Sequence, residues 1–196
     1  MAEISNALSK GDIIVYPTET LYGIGGDPFA PGNPMKRIAL LKRRPLDQPF
    51  IFLIPDIRFL EENGIPLSPG VRELTERFWP GPLTIILNVP LSSPLAPIAH
   101  EGSIAVRVSP HPFAQTLFRH RRFPLISTSA NLSGASEEQA RDPETIAKTF
   151  KNEITLLITE GPLKASPPST LLDARSSPPR LIREGAIPFR DISSLL

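Results

Sequence analysis

Cysteine is absent from the chain, which excludes disulfides, thiolate metal ligands and cysteine nucleophiles and fits a reducing compartment. Histidine is scarce: His100, His111 and His120 stand far apart, without the carboxylate spacing of a metal site, so no metal ligand is expected among them. Aromatic rings are few, with 10 Phe, 2 Tyr and 1 Trp, and stacking of nucleic-acid bases needs exposed rings. Net charge is only +1, so the molecule is not basic all over and any basic surface must be local. No apolar run approaches a membrane span, and Met1 to Lys10 lacks the hydrophobic core of a signal peptide. Together these absences point to the cytoplasm and away from a membrane. A Walker loop and a dinucleotide fingerprint are missing, as is a G-x-S-x-G elbow around Ser127 or Ser129.

What is present describes an ordinary globular chain. It has 196 residues, 40% apolar and 21% charged, enough for one domain with a sizeable core. The 24 prolines fall mostly at element borders. Ile4 and Leu8 predict a short helix that Gly11 can cap, followed by a strand at Ile13 to Val15. Asn33-Pro34 opens a helix with Met35, Ile38 and Leu41 inward. Phe50 to Ile54 reads as a central strand, and Ser68-Pro69 starts a helix with Val71, Leu74 and Phe78 inward. A strand at Leu83 to Val89, a proline-rich loop to Gly102 and a strand at Ile104 to Val108 follow. Phe113, Leu117 and Phe118 mark a helix, and Leu125-Ile126 leads into Ser127 to Asn131. Asp142-Pro143 caps a helix bearing Ile146 and Phe150. Strands at Ile154 to Ile158, Thr170 to Asp173 and Arg180 to Arg183 close the chain. Strands separated by helices predict a single-domain α/β fold over residues 1–196, a mixed sheet flanked by helices, with no repeat and no linker.

Several stretches carry chemistry. In Asp12 to Gly26 a buried strand is cut by Pro17, then come Thr18, Glu19, Thr20, Tyr22 and three glycines. This is either an ordinary turn or the place beyond a strand end where small residues let backbone approach a ligand. Lys36, Arg37, Lys42, Arg43 and Arg44 stand on or just after one helix, where they suit the helix dipole; the turn at Pro45 also makes them suitable for a polyphosphate. Ser127 to Gly134 (S-T-S-A-N-L-S-G) offers short donors directly after a strand, for its own backbone or for an anion. Arg119 to Arg122 reads as an exposed helix end or an RNA patch. Arg107 interrupts an apolar strand with no acidic residue beside it in sequence, so a ligand or a distant carboxylate must partner it.

Taken together, P-T-E-T-L-Y-G, K-R-R-P at Lys42 to Pro45, F-W-P-G-P-L-T, A-V-R-V at Ala105 to Val108, S-T-S-A-N-L-S-G, S-T-L-L-D at Ser169 to Asp173 and L-I-R-E-G-A-I resemble the YrdC family. That family contains threonylcarbamoyl-AMP synthases, and the resemblance runs in order from about Gly11 to Ile187. It implies a twisted sheet with a concave basic cleft. The implied reaction takes L-threonine, bicarbonate and ATP with Mg2+ to threonylcarbamoyl-AMP and pyrophosphate, the product passing to partner proteins that modify tRNA. On this resemblance the K-x-R pair falls on Lys42 and Arg44 and the S-x-N pair on Ser129 and Asn131, expected to hold the phosphates and carry catalysis. Gln48, Ser103 and Arg183 would line the ATP site. Thr20, Arg107, Ser127 and Ser169 would hold threonine, with the Arg107 fork on its α-carboxylate. The sequence departs from the family at Gln48, often Asn or Lys, at Leu53, often His, and in a segment after Gly26 that is one residue longer. It also ends without the second domain of longer members, so control by such a domain is not expected. A YciO-like relative or an RNA-binding module without synthase activity is the alternative; Asn131 argues against the former and the small net charge against the latter.

Overall fold

Prolines and short polar side chains start most of the helices. The Asn33 side chain accepts from the Lys36 amide ahead of α2 (Pro34–Leu41), Asp56 from Phe59 ahead of α3 (Ile57–Glu62), and Ser68 from Val71 ahead of α4 (Pro69–Phe78). The His111 ring does the same for Phe113 in α5 (Pro112–His120), and Asp142 for Glu144 and Thr145 in α6 (Pro143–Phe150). In four of these five the first helical residue is proline, whose missing N–H costs nothing there. Two further helices, α1 (Ala2–Ser9) and α7 (Phe189–Ser193), lie near the ends of the chain.

The computed structural model describes residues 1–195. Its strands are β1 (Ile14–Tyr16), β2 (Gly23–Gly25), β3 (Ile51–Leu53), β4 (Leu83–Asn88), β5 (Ser103–Arg107), β6 (Leu125–Ser129), β7 (Leu156–Leu157), β8 (Thr170–Asp173) and β9 (Arg180–Arg183). They form one mixed sheet in the order β7-β1-β2-β6-β3-β5-β4-β8-β9. The expected strands are all present, most of them shortened or shifted by a residue. β2 and α3 are additions: Gly-Ile-Gly carries no strand signal, and the six residues of α3 are too few for a periodicity. No described helix is long and apolar enough to cross a membrane.

Alternation divides the strands between two faces. Val15, Ile24, Phe52, Ile85, Val106, Ile126 and Leu172 pack into the main core with α2, α3, α4 and α6. On the other face, Ile14, Tyr16, Leu53 and Leu125 meet α1 and α5 in a smaller core. Tyr16 stacks on Phe113 with centroids 5.2 Å apart, and its hydroxyl donates to the Ile126 carbonyl at 2.9 Å. Gly23 and Gly25 make room for it: a Cβ on Gly23 would stand 2.9 Å from the Tyr16 ring, and one on Gly25 would strike the Ile126 carbonyl at 1.8 Å. These glycines therefore serve strand packing as well as any ligand. Along the same face Ile51, Ala105, Ser127 and Ile86 align in register, but α1 and α5 do not reach them, and Ile51 and Ile86 are only half-buried.

Candidate active site

A hollow of about 230 Å3 lies on the uncovered half-face. Thr20, Arg107, Ser127 and Ser169, separated in sequence, all border it. Thr18 braces the loop after β1: its hydroxyl donates to Leu21 O at 2.6 Å and accepts from the Thr20 and Leu21 amides at 3.2 Å. This presents Thr20 Oγ1 to Arg107 Nη1 at 3.4 Å. Ser169 shares a 2.8 Å hydrogen bond with Thr84. Arg107 is buried, and the carboxylate missing from its sequence neighbourhood arrives through space: Glu19 Oε1 lies 3.4 Å from Nη1. The alternative of a distant carboxylate is thus realised, though without a tight grip. Glu19 Oε2 takes the Ser109 hydroxyl at 2.5 Å, while Glu19 Oε1 and Arg107 Nε are buried with no hydrogen-bond partner. Arg107 borders the hollow with a guanidinium only loosely paired to Glu19, an arrangement suited to an anion.

A second, polar hollow of about 310 Å3 adjoins the first and is bordered by Lys42, Arg44, Gln48, Ser129 and Asn131. Arg43, next after the Lys42 cap of α2, adopts φ 54 and turns the chain, with Lys42 buried and Arg44 on the hollow. The buried Lys42 ammonium donates to the carbonyls of Ser129 and Asn131. Burial, with Arg44 adding, pushes its pKa down to about 8. Asn131 is similarly committed: Oδ1 accepts from Ser129 Oγ at 2.6 Å, and Nδ2 donates to Ala135 O at 2.8 Å and Ser136 O at 3.3 Å. Two of the four residues expected on phosphate thus brace the loop. Arg44 remains to face a ligand; the Ser129 hydroxyl borders the hollow, but its proton goes to Asn131 Oδ1. Arg44 lies 4.5 Å over the Phe50 ring, donates from Nη2 to Pro49 O at 2.7 Å, and keeps Nε buried and without a partner; burial lowers its pKa. Arg44, Thr128, Ser129 and Glu137 border both hollows and form their common rim.

The remaining residues distribute differently from expectation. Ser103 is not at the rim; it borders a third, more apolar hollow of about 340 Å3 with Met35, Phe50, Phe52, Ile98 and His100. Its hydroxyl donates to His100 O at 2.9 Å. Gln48 borders this hollow and the polar one, and so joins them. Arg183 stands on the first hollow, beside the residues expected for threonine, donating to Ser169 O at 3.0 Å. Leu53 is fully buried in the smaller core rather than exposed to the site. Of the basic run at Arg119 to Arg122, Arg122 pairs with Asp56 and Glu62, and Arg121 with Asp27 of the longer segment after Gly26. Among the described residues no cluster of three or more potential metal ligands occurs. The sequence reading missed Glu137 and the buried Arg141, which stand in a polar run, Glu137 to Asp142, that looks like solvated surface.

The comparisons fit this geometry. A curated threonylcarbamoyl-AMP synthase of Pyrococcus abyssi is 32% identical over 96% of this chain, which spans 55% of that relative's length. The crystal structure of P. abyssi Sua5 complexed with L-threonine superposes with a TM-score of 0.86 at 31% identity, covering 98% of this chain and 56% of the other. Escherichia coli YciO gives a TM-score of 0.85 at 29% identity, covering 97% of this chain and 91% of the other, so the backbone alone does not separate the two kinds of relative. The family model for Sua5, YciO and YrdC, described as telomere recombination, matches residues 6–185. That span contains every strand of the sheet and every residue bordering the three hollows, and the chain belongs to the Sua5/YciO/YrdC family.

Proposed function

We propose that the chain makes threonylcarbamoyl-AMP and pyrophosphate from L-threonine, bicarbonate and ATP. The observation that carries this is the common rim: a hollow containing a buried, under-partnered arginine opens onto a polar hollow through Arg44, Thr128, Ser129 and Glu137. The synthase name of the P. abyssi relative and the threonine in the Sua5 crystal structure support the choice of substrates.

In this reading Arg107 takes the threonine α-carboxylate, with Thr20, Ser127 and Ser169 around the rest of the amino acid. The free amine attacks the carbon of bicarbonate, an N–C bond forms and water leaves, giving a carbamate. A carbamate oxygen then attacks the α-phosphorus of ATP, and the bond to the β-phosphate breaks to release pyrophosphate. The carbamate is itself the nucleophile, so no side-chain nucleophile is needed; the protein supplies position and charge. Arg44 supplies the charge at the rim, and Ser129 joins it when its hydroxyl turns from Asn131 Oδ1 toward the phosphate. Lys42 and Asn131 contribute indirectly, by holding the Ser129 to Ser136 loop. The triphosphate occupies the polar hollow, and the base occupies the apolar one beside Ser103 and Gln48. Mg2+ would arrive on the triphosphate and lower its charge; Glu137, the one carboxylate on either of the first two hollows among the described residues, is the side chain that would hold it. The mixed anhydride formed is suited to transfer of its carbamoyl group, here to an adenosine of tRNA by separate proteins.

Purified protein is expected to release pyrophosphate from ATP only when threonine and bicarbonate are both present. Release that ignores threonine would overturn the reading. RNA binding with no such turnover would favour the module without synthase activity.

A further inference from the structure

Arg141 is buried, yet its positive charge does not border any of the three hollows. Every nitrogen of its guanidinium has a partner. Nη1 donates to Thr20 O at 3.1 Å and Lys164 O at 2.9 Å, Nη2 to Ser166 O at 2.6 Å, and Nε to Glu138 Oε1 at 3.1 Å. Glu138 is 71% exposed, so that pair adds little. The three carbonyls are what the cation serves.

Those carbonyls belong to two segments far apart in sequence. Thr20 lies on the loop after β1, and its hydroxyl faces Arg107. Lys164 and Ser166 lie on a strap, residues 158–169, that follows no regular secondary structure and ends on Pro168 and Ser169 at the amino-acid hollow. The strap has other ties to the same places. Leu163 N donates to Arg141 O at 2.8 Å, and Ser166 Oγ to Thr20 O at 3.1 Å. Tyr22 OH donates to Gly161 O at 2.7 Å and accepts from Glu160 N at 3.0 Å. Arg141 also closes the short 3-10 turn Glu137–Arg141, whose first residue stands on the common rim. Three walls of one hollow therefore converge on a single side chain that never touches its contents. An apolar side chain could fill this space without desolvating a charge, but it could not set the mutual register of three backbones.

We infer that Arg141 is a positioning residue for the amino-acid hollow: its guanidinium fixes the Thr20 peptide and the Lys164–Ser166 strap relative to each other, and affinity for the amino acid depends on it. The inference rests on the reading of this hollow as the threonine site. Titration calorimetry of threonine and of ATP against wild type and Arg141→Lys tests it, since an ammonium cannot span three carbonyls as a fork does. Threonine binding is expected to weaken roughly ten-fold, the loss of one or two hydrogen bonds to a charged donor, with ATP affinity within about two-fold. Added guanidinium ion is expected to restore threonine affinity to Arg141→Ala. Should the Arg141 variants fail to fold, Ser166→Ala removes only the hydroxyl tie to Thr20 and is expected to weaken threonine binding several-fold. Threonine affinity unchanged in Arg141→Lys, or in Ser166→Ala where only that variant folds, overturns the inference. So does an equal loss of ATP and threonine affinity. Wild type that binds ATP but no threonine overturns the underlying reading of the hollow, and the inference with it.

Discussion

Around Arg107, Thr20 and Glu19 each approach to 3.4 Å while Nε has no partner. Arg107→Lys is expected to keep the fold but weaken threonine binding by about 1.5–3 kcal/mol, since a point charge cannot form the two parallel bonds of a fork. Equal loss of ATP affinity in the same titrations would place Arg107 with the nucleotide or the scaffold. Arg44 and Asn131 should separate by mechanism. Arg44→Ala is expected to lower turnover roughly ten- to a hundred-fold with little loss of melting temperature. Asn131→Ala should lower both, because it leaves Ala135 O and Ser129 Oγ without their partner. At Lys42 the pKa falls from 10.5 to about 8, equivalent to roughly 3 kcal/mol. Between those pH values the unfolded chain holds a proton that the folded chain has lost, so stability should rise with pH across that window. Denaturant unfolding at pH 7.5 and 10 should show this rise in wild type and a flatter response in Lys42→Met. Thr20, Arg107, Ser127 and Ser169 were named from the family resemblance, and they do border one hollow; only Arg107 stood out by itself, as a charge within an apolar strand. The work done by Lys42 and Asn131 was not legible in the sequence, because a buried donor's partners are set by tertiary packing. Nothing local distinguishes Arg141 from a surface arginine.

Strands and helices were legible wherever period and punctuation agreed, as at Asn33-Pro34 and Asp142-Pro143. The strand β2 was not, because its identity depends on a ring brought from β1: Gly23 and Gly25 are there to be overlain by Tyr16. Gly23→Ala is accordingly expected to cost about 1–3 kcal/mol through crowding of that ring. At Gly70, in the first turn of α4, an added Cβ would meet nothing within 4 Å. Gly70→Ala should stabilise by about 0.5–1 kcal/mol through helix propensity. Thermal unfolding of the two variants checks both signs, and a stabilised Gly23→Ala would show that the Tyr16 ring can move aside.

As a whole, the molecule has one sheet face covered by helices and the other covered only in part, and the candidate site is the uncovered remainder. Ligands that bridge the rim would tie β2, β3, β5, β6 and the strap together. At a hundred times its Kd a ligand stabilises by about 2.7 kcal/mol, a rise of roughly 5–10 °C for a chain of this size. Threonine and ATP together are expected to raise the melting temperature by more than the sum of their separate shifts, and a merely additive pair of shifts would argue against a shared rim. The sheet also remains open at its ends, and this bears on self-association. One border strand, β7, is two residues long, too short to template a neighbour. The other, β9, is longer and carries a half-exposed Ile182, the sort of border to which a second copy could add a strand. It is guarded by exposed Arg180 and Arg183, by a register break against β8 at Leu171/Leu172, and by Pro178-Pro179 just before it. A β-branched apolar residue at position 180 would therefore invite chain-to-chain pairing, visible as light scattering, well before it unsettled the fold.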